Sequence, residues 1–123
     1  MRTVKLIAGL ALLGGVTAAL PHPEDPARVR VVHLIGYTYE AADIVARRGD
    51  TLRFVQRSAL PHNVEFTGTP PGAALGTAEV GPYVIADGDT YDLVLDTRFV
   101  PGTYSFHCTP HQSLGMKGTL VVR

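Results

Sequence analysis

One cysteine, Cys108, stands in a chain of 123 residues, so no internal disulfide can form. The sequence has no internal repeat and, after residue 20, no convincing helical stripe. It has no excess of positive charge either, with 11 basic and 11 acidic residues, which excludes a nucleic-acid binder. No dense acidic cluster is present that would steer a basic partner. The longest apolar run, LIAGLALLGGVTAA, is too short for a comfortable membrane span. No cysteine follows it to carry a lipid, and no twin-arginine pair precedes it.

That run sits behind a short basic segment with Arg2 and Lys5 and ahead of the small residues Thr17, Ala18 and Ala19. Residues 1–19 therefore read as a cleavable signal peptide, cut after Ala18 or Ala19. The alternative, a buried N-terminal helix, has nothing after residue 20 to cover it. Cleavage removes Arg2 and Lys5 and leaves a net charge of about −2. The protein is expected to be periplasmic or otherwise exported, with no stable membrane insertion. Residues 20–28, LPHPEDPAR, carry three prolines and read as a flexible lead-in to a single domain over 29–123.

Within that domain the pattern is short β-type runs separated by Gly, Pro and Asp. The runs are 29–35, two pieces of 43–57 turned at Gly49–Asp50, 62–66, 91–95, 102–108 and 118–123. The segment about Glu40 has room for a turn. Residues 67–82, rich in Gly, Pro and Ala, read as a long loop. Six to eight short strands at this spacing predict an all-β, antiparallel Greek-key sandwich.

A lone thiol in an exported protein is open to oxidation and needs a reason. It could bridge a dimer, lie buried and inert, act as a nucleophile, or bind a metal. The surrounding sequence, YSFHCTPHQSLGMKG, favours the last. Strand alternation sets Tyr104, Phe106 and Cys108 on one inward face. Thr109–Pro110 ends the strand, His111 follows, and Met116 precedes the final run, so the three donors can converge between two strand ends. His62 shares a face with Val64 and Phe66 and supplies a second imidazole. Two imidazoles, a thiolate and a thioether form the donor set of a type 1, or blue, copper site, one copper per chain. Zinc accepts Cys and two His, but a thioether adds nothing for zinc.

The spacing C-x-x-H-x-x-x-x-M is similar to that of plastocyanins and pseudoazurins, and FHCTPH resembles amicyanin, whose Met sits closer to its His. Upstream, GDTLRFVQRSALPHNVEF resembles the same small blue copper proteins, the cupredoxins, in its Gly-Asp, strand and Pro-His-Asn order. The likeness spans roughly residues 39–123. It implies His62, Cys108, His111 and Met116 as copper ligands and Asn63 as a brace between the two ligand loops. Two positions depart from the family. Gln56 stands where Asn is frequent, and Tyr39-Glu40-Ala41 replaces an early Phe-x-Pro element.

The remaining histidines are expected to be structural. His107 points away from Cys108, and the further histidines that a second copper would need are missing. His22 would be third in the mature chain, but Pro21 lacks the amide that an amino-terminal copper motif requires. His33 reads as a core or edge histidine, and Arg47–Arg48 as a solvated turn.

The function implied is single-electron shuttling by Cu(II)/Cu(I) cycling, without substrate chemistry. Pro110 cannot donate a hydrogen bond to the Cys108 sulfur, which bears on potential. Leu60, Pro61, Pro110 and Leu114 are placed to form an apolar patch around His111. Redox partners of a monomeric carrier would dock there transiently. The alternative is periplasmic copper binding and delivery. Delivery favours methionine-rich sites, and this chain has only Met1 and Met116.

Overall fold

A computed structural model describes residues 14–15 and 26–123. The expected signal peptide, apart from Gly14 and Gly15, lies outside the described residues, as do His22 and most of the lead-in. No helix among the described residues is long and apolar enough to cross a membrane.

Among the described residues, eight strands form two sheets. They are β1 (Val29–Ile35), β2 (Thr38–Tyr39), β3 (Asp43–Ala46), β4 (Thr51–Gln56), β5 (Glu65–Gly68), β6 (Thr90–Val94), β7 (Gly102–His107) and β8 (Lys117–Val122). One sheet has the order β2-β1-β4-β6 and the other β3-β8-β7-β5. The all-β sandwich is as expected, but its pairing is mixed. β1 runs parallel to β4 and β3 parallel to β8, while the other pairs are antiparallel. The chain crosses between the sheets at most connections. Gly49–Asp50, expected to turn one run onto the next, therefore carries it from β3 in one sheet to β4 in the other.

Alternation places one face of each strand inward. In β4, Leu52 and Phe54 are buried, and in β7, Tyr104 and Phe106. Tyr39, Phe66 and Phe106 meet edge to face at centroid distances of 4.9 Å (Tyr39–Phe106) and 5.9 Å (Phe66–Phe106). Each such ring contributes about 1.5–3 kcal/mol by burial, and edge-on packing gives it a defined orientation. Gly118 lies opposite Phe106 in the β7–β8 ladder because a side chain there would collide with the Phe106 ring and the Ala42 carbonyl.

Two expected elements differ. Residues 62–66 are not one strand. His62 is held by an isolated bridge to Val84, and the continuous strand begins only at Glu65. Pro61 and the buried polar Asn63 divert this backbone from a regular ladder. The stretch 67–82 is no free loop. It holds the end of β5 and a 3-10 turn over Gly76–Ala78, and it seats Leu75 and Ala78 in the core.

Candidate metal centre

The site forms at the end of the sandwich where β7 leaves the core. Cys108 continues the buried series Tyr104, Phe106 and is fully buried itself. Pro110 then fixes the start of a short 3-10 segment, Thr109–Leu114, that the sequence pattern did not show. Gly115, at φ 78°, ends it in the left-handed region that favours glycine. The loop closes on itself. The Met116 amide donates to the His111 carbonyl (3.3 Å) and the Cys108 amide to the Met116 carbonyl (3.0 Å). Backbone hydrogen bonds thus place Cys108, His111 and Met116 together, as their spacing suggested.

His62 arrives from the other loop. Its amide donates to the Val84 carbonyl (3.0 Å) and its carbonyl accepts from the Val84 amide (2.8 Å). The side chain is fully buried. His62 Nδ1 lies 3.7 Å from Cys108 Sγ and 3.2 Å from His111 Nδ1, and His111 Nδ1 lies 3.4 Å from Cys108 Sγ. A point equidistant from the three atoms is roughly 2.0 Å from each, the length of a metal–imidazole bond and slightly short for a metal–thiolate bond. Two imidazole nitrogens and one sulfur therefore surround a space close to the size of one first-row ion. Among the described residues this is the one group of three His, Cys, Asp or Glu gathered closely enough to hold a metal. Met116, which the loop brings back beside Cys108 through its backbone, is 1% exposed.

The electrostatics suit metal binding. Burial, then the neighbouring His111, hold His62 below the usual imidazole range, which favours the neutral ring that a metal requires. Burial pushes the Cys108 thiol up, against backbone amide hydrogen bonds from Asn63 and His111 that favour the thiolate. A cation held by His62, His111 and Cys108 would add its charge to those amides and favour the thiolate.

Asn63 bridges the two ligand loops. Its Nδ2 donates to Thr109 Oγ1 (2.9 Å), and its Oδ1 accepts from the Thr109 amide (2.8 Å). The Tyr39 hydroxyl donates to the Asn63 carbonyl (2.7 Å), so the residue in place of the family's Phe-x-Pro element also supports the site. Thr109 Oγ1 donates to Glu65 Oε2 (2.6 Å), which also lies 2.8 Å from His107 Nε2. The Thr109 bond and then His107 hold the Glu65 carboxyl below its usual range. His107 points away from the metal donors, as its strand position required, and pairs with Glu65 directly across the β5–β7 ladder. His33 likewise has a partner, with Nδ1 2.7 Å from Glu40 Oε2 in an exposed pair; it is not a core residue. Arg47 and Arg48 are exposed, as expected.

Three neighbours of the ligands were not legible as such. Tyr37 lays its ring edge against His111 at 4.9 Å. Ser58 Oγ lies 3.1 Å from His62 Nε2, and the buried Gln56 amide holds Ser58. Only the departure from Asn at position 56 signalled that this loop is built differently.

Residues 31–123 match the family described as copper binding proteins, plastocyanin/azurin family. The chain is 36% identical to the plastocyanin of Prochlorothrix hollandica over 122 residues, covering 97% of this chain and 86% of that protein. It is 34% identical to the amicyanin of Paracoccus denitrificans over 92 residues, 75% of this chain and 63% of that one. Among solved structures, a Cu(I) amicyanin variant superposes with a TM-score of 0.61 at 34% identity, over 77% of this chain and 82% of the other. A fern plastocyanin variant superposes with a TM-score of 0.60 at 28% identity, over 76% and 99%. With a two-sheet sandwich, a buried His-Cys-His cluster and this degree of likeness, the chain belongs to the plastocyanin/azurin family of copper-binding proteins.

Proposed function

We propose that the protein is a type 1 copper electron carrier and that His62, Cys108, His111 and Met116 hold the metal. The observation that carries this reading is the buried ring of His62 Nδ1, His111 Nδ1 and Cys108 Sγ, whose 3.2–3.7 Å separations leave a centre about the size of one ion. Bound copper would supply a one-electron Cu(II)/Cu(I) couple, with a potential set by the soft thiolate of Cys108, the imidazoles of His62 and His111 and the thioether of Met116. The protein's part is to keep the donors fixed in both states. Cys108 and His111 sit on a loop closed by its own backbone bonds, and His62 is pinned to Val84. Asn63 ties the loops together. A donor cage that does not move on reduction favours fast exchange.

His111 is the most solvent-exposed of the four at 9% and lies beside exposed Pro110, Leu114 and Tyr37. With Pro61 and half-buried Leu60, these residues form the apolar patch on which redox partners dock transiently. Full burial of His62 and Cys108 disfavours copper delivery, which needs an accessible, exchangeable site. We assign residues 1–19 as a signal peptide, 20–28 as the lead-in and 29–123 as the cupredoxin domain of an exported monomer. Voltammetry of the copper-loaded mature domain tests the function. A reversible one-electron wave is expected, and absence of any reversible couple would refute it.

A further inference from the structure

Gln56 is a fully buried amide at the end of β4, and every part of it is used. Its Nε2 donates to the Leu60 carbonyl and to the Val84 carbonyl (3.1 Å). Its Oε1 accepts from the amides of Arg57 and Ser58 (both 3.1 Å) and lies 3.2 Å from Ser58 Oγ. Carbonyls face one end of the amide and N–H groups the other, so it fits only this way round. Its oxygen cannot donate. The Ser58 hydroxyl must therefore donate to it, or two oxygens would face each other without a proton between them. That leaves a Ser58 lone pair to accept from His62 Nε2, 3.1 Å away. His62 then carries its proton on Nε2 and presents a bare Nδ1 to Cys108 and His111.

We infer that Gln56 and Ser58 are positioning residues that fix the tautomer and orientation of His62 through a Gln56–Ser58–His62 hydrogen-bond chain. This rests on the reading of His62 as a copper ligand. The longer side chain at position 56 is what makes the chain possible. From the end of β4 it spans the whole 57–62 loop and reaches the same Val84 carbonyl that receives the His62 amide. The loop is thus tied to Val84 twice, by backbone and by side chain. An acceptor on the outer imidazole nitrogen makes the inner one a stronger donor, which favours Cu(II) over Cu(I).

Two measurements on Ser58→Ala, with Ser58→Thr as the conservative rescue, test the chain. Long-range proton–nitrogen NMR of the metal-free domain reads the tautomer directly. The wild type and the Thr variant should show His62 protonated at Nε2, and the Ala variant a mixture or a reoriented ring. Potentiometry of the copper-loaded forms should show Ser58→Ala shifted upward. One lost hydrogen bond corresponds to a roughly three- to tenfold change in the Cu(II)/Cu(I) affinity ratio, and a tenfold change is about 59 mV for one electron. The Thr variant should return most of that shift. A wild-type His62 protonated at Nδ1, or an Ala variant unchanged in both tautomer and potential, overturns the inference. Should the wild type fail to form a copper–thiolate centre, the electron-carrier reading falls, while the metal-free NMR result still decides the hydrogen-bond chain.

Discussion

Replacing Asn63 with Ala should loosen the site before it affects the metal chemistry. Asn63 is 2% exposed and makes two side-chain hydrogen bonds, at 2.9 and 2.8 Å, to the hydroxyl and amide of Thr109, the residue after the ligand Cys108. Each bond is worth about 0.5–1.5 kcal/mol net, and a half-buried amide left without its partner adds a share of its desolvation cost. The loss should be about 2 kcal/mol in the metal-free protein, or roughly 10 °C in Tm for a domain of this size. Urea unfolding should show a lower midpoint at an unchanged slope. A double-mutant cycle with Thr109→Ala isolates the side-chain bond, because the Thr109 amide survives that change. Its coupling should be about 1 kcal/mol. Additive effects, within about 0.3 kcal/mol, would refute the claim that the Asn63–Thr109 side-chain bond helps to tie the two loops together.

Further outcomes follow from other residues. At Gly118 an added methyl would stand 2.5 Å from Phe106 Cζ and 2.6 Å from the Ala42 carbonyl, so Gly118→Ala should destabilise by about 1–3 kcal/mol in thermal unfolding. Burial pushes the carboxyl of Asp50 up, but the amides of Arg28 and Arg47 and the Arg30 guanidinium outweigh it and hold the group below the usual range. Its stabilisation is therefore present above the unfolded carboxyl value near 3.9 and is lost as pH falls through the lower folded value. Asp50→Asn should cost on the order of 2 kcal/mol at pH 7, with the gap to wild type closing in acid unfolding below about pH 4. Leu114, 57% exposed, can be changed to Glu without touching a ligand. That substitution should slow electron exchange with partners in stopped-flow while leaving the copper spectrum intact, and an unchanged rate would remove the apolar patch from the account.

The copper loop was legible because its information is local. Alternation alone turned Cys108 inward behind Tyr104 and Phe106, Pro110 marked the end of the strand, and the spacing to His111 and Met116 set the reach of the loop. His62 was legible by residue type and neighbours, but for an incomplete reason. Its inward face comes from a bridge to Val84, a partner 22 positions away that no local period reveals. The parallel pairs β1–β4 and β3–β8 were hidden for a related cause, since a strand's own pattern does not say which sheet the chain enters next. Gln56 shows the limit most clearly. A buried amide looks like a misplaced polar residue until its two carbonyls, two amides and one hydroxyl are all in position, and those come from the following loop, 57–60, and from Val84, 28 positions away.

The most direct test of the copper centre is the visible and EPR spectrum of the purified protein after addition of one equivalent of Cu(II). The arrangement of Cys108 with His62 and His111 predicts an intense blue thiolate-to-copper charge-transfer band with narrow copper hyperfine splitting, lost in Cys108→Ser. A colourless or weakly absorbing product would mean that Cys108 does not bind copper in a short trigonal geometry, and would contradict the electron-carrier account.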